Sequence, residues 1–185
     1  MTKVFIGGSR RLSKLNKDVK RRLDNIIEKG FTVVVGDANG VDKAVQQYLA
    51  SKHHEKVVVF CMAGQCRNNL GKWPTRDITA APSARGFAYF STKDRVMVEE
   101  ADYGLMLWDG KSRGTLTNIV DLVRQGKPVV VYLAPAKAFA TLHEPEHLVD
   151  FGRRFDPAIL QRIERDLHNT ATLTRDHHKD DAPLF

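Results

Sequence analysis

Residues 103–115, YGLMLWDGKSRGT, contain an apolar run followed directly by a turn rich in glycine and hydroxyl side chains. The apolar run, Tyr103–Trp108, predicts a buried strand. After the turn, apolar residues recur at helical spacing from Leu116 to Val123, which predicts an amphipathic helix that ends by Gly126. Such a turn directs free backbone N–H groups and the positive end of a helix dipole to one point. The stretch therefore predicts a site for an anion such as phosphate.

The same alternation of strand, turn and helix extends back to the N-terminus and forward to residue 133. Strands are predicted at 4–6, 31–35, 56–61, 103–108 and 128–133, and helices at 14–29, 41–51, 92–100 and 114–125. The predicted strands are continuously apolar rather than alternating, which indicates a sheet covered on both faces. We therefore predict an α/β fold, with a doubly wound parallel sheet of about five strands and helices on both faces.

The length and composition favour one globular domain. The chain has 185 residues, of which 42% are apolar and 28% are charged, which is ordinary for a domain with its own core. We predict that residues 1–134 form this domain. Residues 135–185 are predicted to add one helix, near 157–167, and a polar tail from 168 that is flexible or packs on a neighbour.

No targeting or membrane-spanning segment is predicted. The sequence contains no window of about eighteen uninterrupted apolar residues, as a transmembrane helix would require. The apolar run at the N-terminus is too short for a secretory signal. These observations predict a cytoplasmic protein that does not act at a membrane.

The cysteines and histidines do not predict a metal site. Cys61 and Cys66 are the two cysteines, and their spacing does not match a CxxC motif. Cys61 ends an apolar run, so we predict that it is a small buried hydrophobe. The seven histidines are scattered, without the helical spacing that places two ligands on one face. We therefore expect neither a metal ion nor another cofactor.

The positive charge favours anionic partners. The formal net charge is +7, although the basic face of the helix at 14–29 is first of all a solvated surface. The long segment 62–91 combines basic and aromatic side chains, which could form a lid that stacks on a base. An oligomer contact or a plain surface loop fits this segment equally well. The side chains concerned are Arg67, Lys72, Trp73, Arg76, Arg85, Phe87, Tyr89 and Phe90.

Two further turns follow predicted strands. Gly7-Gly8-Ser9-Arg10 follows the first strand and offers close backbone approach, a hydroxyl and a guanidinium. The turn at 36–42 follows the second strand, and Asn39 or Asp42 is the predicted N-cap of the next helix. Acidic side chains in this turn, or Asp109 in the third turn, could instead hold ribose hydroxyls. Because ligands of such sheets bind beyond the carboxyl ends of the strands, we expect the three turns to line one pocket.

Four motifs together resemble a known superfamily. They are residues 7–10 (GGSR), 36–42 (GDANGVD), 93–97 (KDRVM) and 109–115 (DGKSRGT). In this order they resemble the SLOG superfamily of Rossmann-like nucleotide-binding proteins, most closely its YspA-like branch, over about residues 3–133. The resemblance implies a Rossmann-like fold and a site for a nucleotide or nucleoside derivative. The superfamily includes nucleoside-monophosphate phosphoribohydrolases, relatives of nucleoside deoxyribosyltransferases, and a DNA-processing protein that binds single strands.

The resemblance also assigns roles to individual residues. In the hydrolase and transferase members, a Gly-Thr-x-x-Glu motif supplies a glutamate that acts at the anomeric carbon. Gly114 and Thr115 match the phosphate-binding pair, but Asn118 stands where that glutamate would be, and an amide cannot act as nucleophile or general base. Substitute catalytic carboxylates would be Asp42, Asp94 or Asp109. The residues expected to bind the nucleotide are Gly7, Gly8, Ser9, Arg10, Gly36, Asp37, Asn39, Gly40, Arg95, Gly110, Ser112, Arg113, Gly114, Thr115 and Asn118.

The sequence leaves three functions open. The first is a module that binds or senses a nucleotide-like small molecule without turning it over, which the missing glutamate favours. The second is a hydrolase or transferase that acts on the N-glycosidic bond of nucleoside monophosphates. The third is binding of single-stranded nucleic acid, which the positive charge and the segment 62–91 suggest. Because members of the superfamily commonly pair, we also expect a homodimer or a higher homo-oligomer.

Overall fold

A computed structural model describes residues 1–154 and 157–168. The strands are β1 (Lys3–Gly8), β2 (Thr32–Gly36), β3 (Val57–Met62), β4 (Thr75–Ile78), β5 (Tyr103–Trp108), β6 (Val129–Leu133) and β7 (Ala138–Leu142). The helices are α1 (Lys17–Glu28), α2 (Val41–Ser51), α3 (Gly86–Glu100), α4 (Arg113–Arg124), α5 (Pro145–Arg153) and α6 (Pro157–His168). None of the helices in these ranges is both long enough and apolar enough to cross a membrane.

The strands form one sheet in the order β4-β3-β2-β1-β5-β6-β7. All neighbouring pairs from β4 to β6 are parallel, and β7 pairs antiparallel with β6. The predicted α/β class and the Rossmann-like, mostly parallel sheet are therefore confirmed. The chain winds outward from β1 to β4 on one side and from β5 to β7 on the other. The winding reverses between β1 and β5, where such sheets form a crevice for ligands.

Two apolar clusters cover the two faces of the sheet. On one face, α1 and α2 pack Leu23 and Val45 against residues such as Ile6 of β1. On the other face, α3 and α4 pack Met97 and Ile119 against strand residues of the opposite orientation. Each inner strand is therefore buried on both sides, which is why its sequence is continuously apolar.

We predicted about five strands, whereas the sheet has seven, because the two edge strands, β4 and β7, were not predicted. The sequence of β4 is TRDI, with three of its four residues exposed, and β7 is also largely outside the core. An edge strand pairs on one side only and tolerates polar side chains, so its sequence lacks the apolar run that identifies an inner strand. The segment 62–91 thus contains β4 and the start of α3, which begins at Gly86 rather than near Thr92.

The C-terminal region contains more structure than the single helix predicted there. The helix predicted at 157–167 is α6, and α5 precedes it. Leu148 and Phe151 of α5 and Ile163 of α6 are buried in the same apolar cluster as α4. The polar tail predicted from residue 168 lies, beyond α6, outside the described residues.

Truncation of Leu122 tests the packing of α4 on the sheet. Leu122 is fully buried in the cluster between α4, β5 and β6. Leu122→Ala should lower the free energy of unfolding by about 2–5 kcal/mol, because it removes apolar contacts and leaves a cavity. The measurement is urea denaturation, and the midpoint should fall without a change in the slope.

The matched control is Leu70→Ala, since the Leu70 side chain is exposed. Its effect should stay below about 1 kcal/mol. Equal losses in the two variants would contradict the packing described here.

Candidate functional site

A cavity of about 550 Å³ opens at the carboxyl ends of β1, β2 and β5. It lies at the reversal point of the sheet, and the three predicted turns all contribute to its wall. Of the residues predicted to bind a nucleotide or to act in catalysis, those that line the cavity are Gly7, Gly8, Ser9, Arg10, Asp42, Asp94, Asp109, Ser112, Gly114, Thr115 and Asn118.

The other predicted residues lie outside the lining. Gly36 and Asp37 are buried behind it, and Gly40 is the N-cap of α2. Arg95 is exposed on α3 and is not part of the wall. Asn39, Gly110 and Arg113 adjoin lining residues without belonging to the lining themselves.

Asp109 connects the first turn to the third. Its Oδ2 accepts a hydrogen bond of 2.8 Å from Ser9 Oγ, and its Oδ1 accepts from the N–H groups of Lys111 and Ser112 at 3.0 and 2.7 Å. Partial burial opposes ionisation, but these donors outweigh it and hold the pKa of Asp109 below its usual value. Both carboxylate oxygens are thus engaged in shaping the edge between β1 and β5.

The start of α4 offers backbone donors to the cavity. Ser112 is the N-cap, and its Oγ accepts hydrogen bonds from Thr115 N and Thr115 Oγ1 at 3.4 and 3.0 Å. The first intrahelical bond runs from Leu116 N to Ser112 O at 3.2 Å. The N–H groups of Arg113 and Gly114 precede that bond, so the helix leaves them available to an anion.

Asp42 lies in the deepest part of the site. It is 8% exposed, and its Oδ2 accepts a hydrogen bond of 3.1 Å from Ala38 N. A Cβ atom on Gly36 would stand 2.4 Å from Asp42 Oδ2 and 2.6 Å from Lys93 Nζ, so only glycine leaves room for this pair. The prediction that Asn39 or Asp42 caps α2 was wrong, because Gly40 is the N-cap and no side chain caps the helix.

The surroundings of Asp42 raise its pKa toward neutral pH. Burial raises the pKa of Asp42 to about 6, while the positive charge of Lys93 opposes the shift and the negative charge of Asp94 adds to it. A carboxyl group with such a pKa can hold or release a proton near neutral pH, as acid–base groups do.

Lys93 belongs to the motif at 93–97 but was not among the predicted site residues. Its side chain is only 4% exposed, and Nζ lies 3.2 Å from Asp94 Oδ1 and 4.0 Å from Asp37 Oδ1. Asp94 Oδ2 in turn accepts a hydrogen bond of 3.5 Å from Asn118 Nδ2. The helix α3 therefore places the Asp94 carboxylate next to Asn118. It also places the Lys93 ammonium group among the side chains of Asp37, Asp42 and Asp94. Helical spacing alone did not indicate that this lysine faces inward.

Part of the segment 62–91 forms a wall of the cavity. Arg67, Phe87 and Phe90 line it, and the ring of Phe90 lies 5.2 Å from the guanidinium carbons of both Arg10 and Arg67. The guanidinium of Arg113 lies 4.2 Å from the Phe87 ring. The remaining basic and aromatic residues of the segment are elsewhere, and Trp73 is buried in the core. Closure of this wall over a base stays a prediction.

Arg67 also holds Asp37. Its Nε and NH2 groups donate to the two carboxylate oxygens of Asp37 at 3.1 and 2.7 Å, and its backbone N–H adds a third bond of 3.1 Å. Burial opposes ionisation of Asp37, but the bonds from Arg67 outweigh it and hold the pKa of Asp37 below its usual value. Asp37 therefore positions Arg67 in the wall of the cavity through an ion pair, and its carboxylate is not free to accept a hydrogen bond from a sugar.

The cysteine prediction needs correction. Cys61 is buried as expected, but the structure joins it to Cys66 in a disulfide across a tight turn. One oxygen of Asp37 and the two sulfurs all lie within 4.8 Å of one another, a donor set that a metal ion could use. As folded, the sulfurs are bonded to each other and the carboxylate is paired with Arg67, so the set is not open to an ion.

The fold and the cavity define a Rossmann-like α/β protein with a polar cavity at the reversal point of its sheet. A solved structure of DNA processing protein A from Helicobacter pylori, described for its single-stranded DNA binding mode, matches this fold with a TM-score of 0.55, at 17% identity, over 91% of this chain and 81% of that one. DNA processing protein A from Streptococcus pneumoniae gives a TM-score of 0.49 at 16% identity, over 70% of this chain and 50% of that one. The first likeness shows a shared fold. No protein-family profile matches the chain, and no curated protein is similar to it in sequence.

The pH dependence of stability tests the burial of Asp42. Its ordinary pKa of 3.8 applies to the unfolded chain, and its pKa in the folded protein is about 6. Between these values the native state binds more protons than the unfolded state, so the Asp42 contribution lowers the free energy of unfolding as pH rises through this range. The two values differ by the equivalent of about 3 kcal/mol.

The variant Asp42→Asn removes this titration. Relative to the wild type, it should gain stability as the pH rises from about 4 to about 7, as measured by urea denaturation at each pH. Asp37 and Asp109, whose lowered pKa values act in the opposite direction, are present in both proteins. If the stability of Asp42→Asn relative to the wild type stays constant or falls as the pH rises, Asp42 is not buried as described.

Proposed function

We propose that this protein binds a nucleotide or nucleoside derivative in the cavity between β1 and β5. The observation that carries the proposal is the meeting of three kinds of contact in one cavity: backbone donors at the start of α4 that precede its first intrahelical bond, buried acidic side chains, and aromatic rings on α3. These match the phosphate, the sugar hydroxyls and the base of a nucleotide.

Each part of the ligand has a matching part of the wall. The phosphate fits at the N–H groups of Arg113 and Gly114 and at the Ser112 hydroxyl, which accepts from Thr115 and keeps its own proton to donate. The cations Arg10 and Lys111 also line this part of the cavity. Asp42 and Asp94 are the acceptors available to sugar hydroxyls. The base fits against the rings of Phe87 and Phe90, and the arginines that already cover these rings can stack on it as well.

We further propose that the chain is a member of the SLOG superfamily, in its YspA-like branch. The supporting observations are the four motifs and the fold shared with a DNA-processing protein. In this proposal residues 1–134 are the nucleotide-binding domain and 135–185 an accessory segment. The protein works in the cytoplasm as a homodimer or higher homo-oligomer, without a cofactor.

Gly114 provides a direct test of the phosphate position. A Cβ atom on Gly114 would meet only Phe87 Cε2 within 4 Å, at 3.9 Å, so a side chain fits the empty protein but fills the space in front of the helix start. Gly114→Val should weaken binding of AMP or ADP-ribose about tenfold or more, as measured by calorimetry, because it blocks contact with charged phosphate. The free energy of unfolding should change by less than about 1 kcal/mol.

Thr117→Val is the matched control, since Thr117 is on the same helix and outside the lining. It should bind like the wild type. The proposal fails if neither AMP nor ADP-ribose binds the wild type at millimolar concentration. If nucleotides bind equally well to Gly114→Val, the phosphate does not lie at α4.

An N-glycosidic hydrolase or transferase is the second candidate. It is favoured by the place of Asp94, which lies beside Asn118, the residue at the position of the missing glutamate. In this reading Asp94 acts at the anomeric carbon, and Asp42 supplies or accepts a proton. Incubation with nucleoside monophosphates should then release free base, and Asp94→Asn should abolish the release while the exposed Asp18→Asn does not. Absence of base release from every nucleoside monophosphate contradicts this candidate.

Binding of single-stranded DNA is the third candidate. It is favoured by the fold shared with the Helicobacter pylori protein, whose single-stranded DNA binding has been described, and by the five cationic side chains in the lining. The calorimetric measurements therefore include a short single-stranded DNA oligonucleotide at two salt concentrations. Affinity for the oligonucleotide above that for AMP, with a steep loss at higher salt, would replace the first candidate by this one.

A further inference from the structure

The turn after β3 places the two cysteines directly opposite each other. Gln65 N donates to Met62 O at 3.1 Å, and the two residues between them, Ala63 and Gly64, have positive φ angles of 50° and 70°. This is the pattern of a two-residue hairpin turn, in which the next pair of residues outward faces across the strands. That pair is Cys61 and Cys66, whose Cα atoms are 4.9 Å apart, as a disulfide requires.

The residue that follows Cys66 belongs to the wall of the cavity. Arg67 makes three hydrogen bonds to Asp37, and its guanidinium lies against Phe90. The disulfide therefore ties the backbone next to Arg67 to the end of β3, which is fixed in the sheet. This restraint favours the position of Arg67 in which it holds Asp37 and covers Phe90.

Residues 68–70, which follow Arg67, are held in place by hydrogen bonds that do not depend on the disulfide. Asn68 Nδ2 donates to Asp37 O at 2.7 Å, and Gln46 Nε2 donates to Asn68 O at 3.2 Å. Leu70 N donates to Gln46 Oε1 at 3.0 Å. On the other side of the turn, Ala63 N donates to Ile78 O at 3.1 Å and Gly64 N donates to Asp77 Oδ1 at 2.5 Å. Loss of the disulfide should thus free residues 65–67 and leave 63–64 and 68–70 in place. The effect is confined to the stretch that ends in Arg67.

We propose that Cys61 and Cys66 form a reversible thiol–disulfide switch that sets how firmly Arg67 is held in the cavity wall. The proposal rests on the proposed nucleotide site only for its ligand readout. In the oxidised state the wall is complete, and in the reduced state Arg67 is free to leave Asp37 and Phe90. Exposed disulfides are the ones that respond to cellular thiols, and Cys66 lies in an exposed turn.

The co-reactant is a dithiol. Its thiolate attacks Cys66 Sγ, in the exposed turn, and the S–S bond breaks to release Cys61 as a thiolate, which takes up a proton. The second thiol of the reductant then displaces Cys66 from the mixed disulfide. The reductant leaves as a disulfide, oxidised by two electrons, and both cysteines end as thiols. Oxidation by a disulfide of the same class reverses these steps.

The test compares the full chain after oxidation and after reduction with dithiothreitol. Alkylation and mass measurement count the free thiols, hydrogen exchange reports on residues 62–70, and calorimetry gives the affinity for AMP. Reduction should expose two thiols, raise exchange at residues 65–67 about tenfold and leave 63–64 and 68–70 unchanged. It should weaken AMP binding about threefold to tenfold, and reoxidation should restore it.

Two variants separate the switch from other effects of the reductant. The double variant Cys61→Ser with Cys66→Ser should behave like the reduced protein with or without dithiothreitol. Arg67→Ala should bind AMP weakly in both redox states. The proposal is overturned if oxidant leaves two alkylatable thiols, if exchange at 65–67 is the same in both states, or if reduction still weakens binding in Arg67→Ala. If AMP binds neither state, the proposed function fails, and the thiol count and hydrogen exchange still decide the switch.

Discussion

Lys93 carries a positive charge at the carboxyl end of β2, with 4% of its side chain exposed. A buried charge is strongly destabilising unless opposite charges compensate it. Here the compensation comes from Asp37 after β2, Asp42 on α2 and Asp94 on α3, three acidic groups on separate elements. The packing of α3 across the end of the sheet depends on this match. Since α3 also presents Phe87 and Phe90, the aromatic wall of the cavity depends on it as well.

The cavity has two chemically different ends. At the start of α4 the available groups are backbone donors and hydroxyls, and Asp109 fixes this turn to the end of β1 through Ser9. At the end of β2 the available groups are carboxylates around Lys93. A ligand that satisfies both ends carries an anionic group at one side and hydroxyl donors at the other, as a nucleotide does. The placement of both ends follows from the reversal of the strand order between β1 and β5.

Much of the fold was predictable from the sequence, because the inner strands are buried on both faces and therefore read as apolar runs. The convergence of the three turns was predictable too, since parallel strands end at one edge. The edge strands were not predictable, because their exposed side chains resemble those of loops. Nor was the inward orientation of Lys93 or the pairing of Arg67 with Asp37. Both depend on how elements distant in sequence meet, which helical spacing and motif order do not encode.

In the proposed function, the anionic group of the ligand lies at the start of α4, between β1 and β5. The most direct measurement is an NMR titration of isotope-labelled protein with AMP, followed at the backbone amides. We expect the largest shifts at Arg113, Gly114 and Thr115, with further shifts at 8–10 in the adjoining turn. Saturating shifts confined to the basic face of α1, or elsewhere away from the cavity, would contradict it.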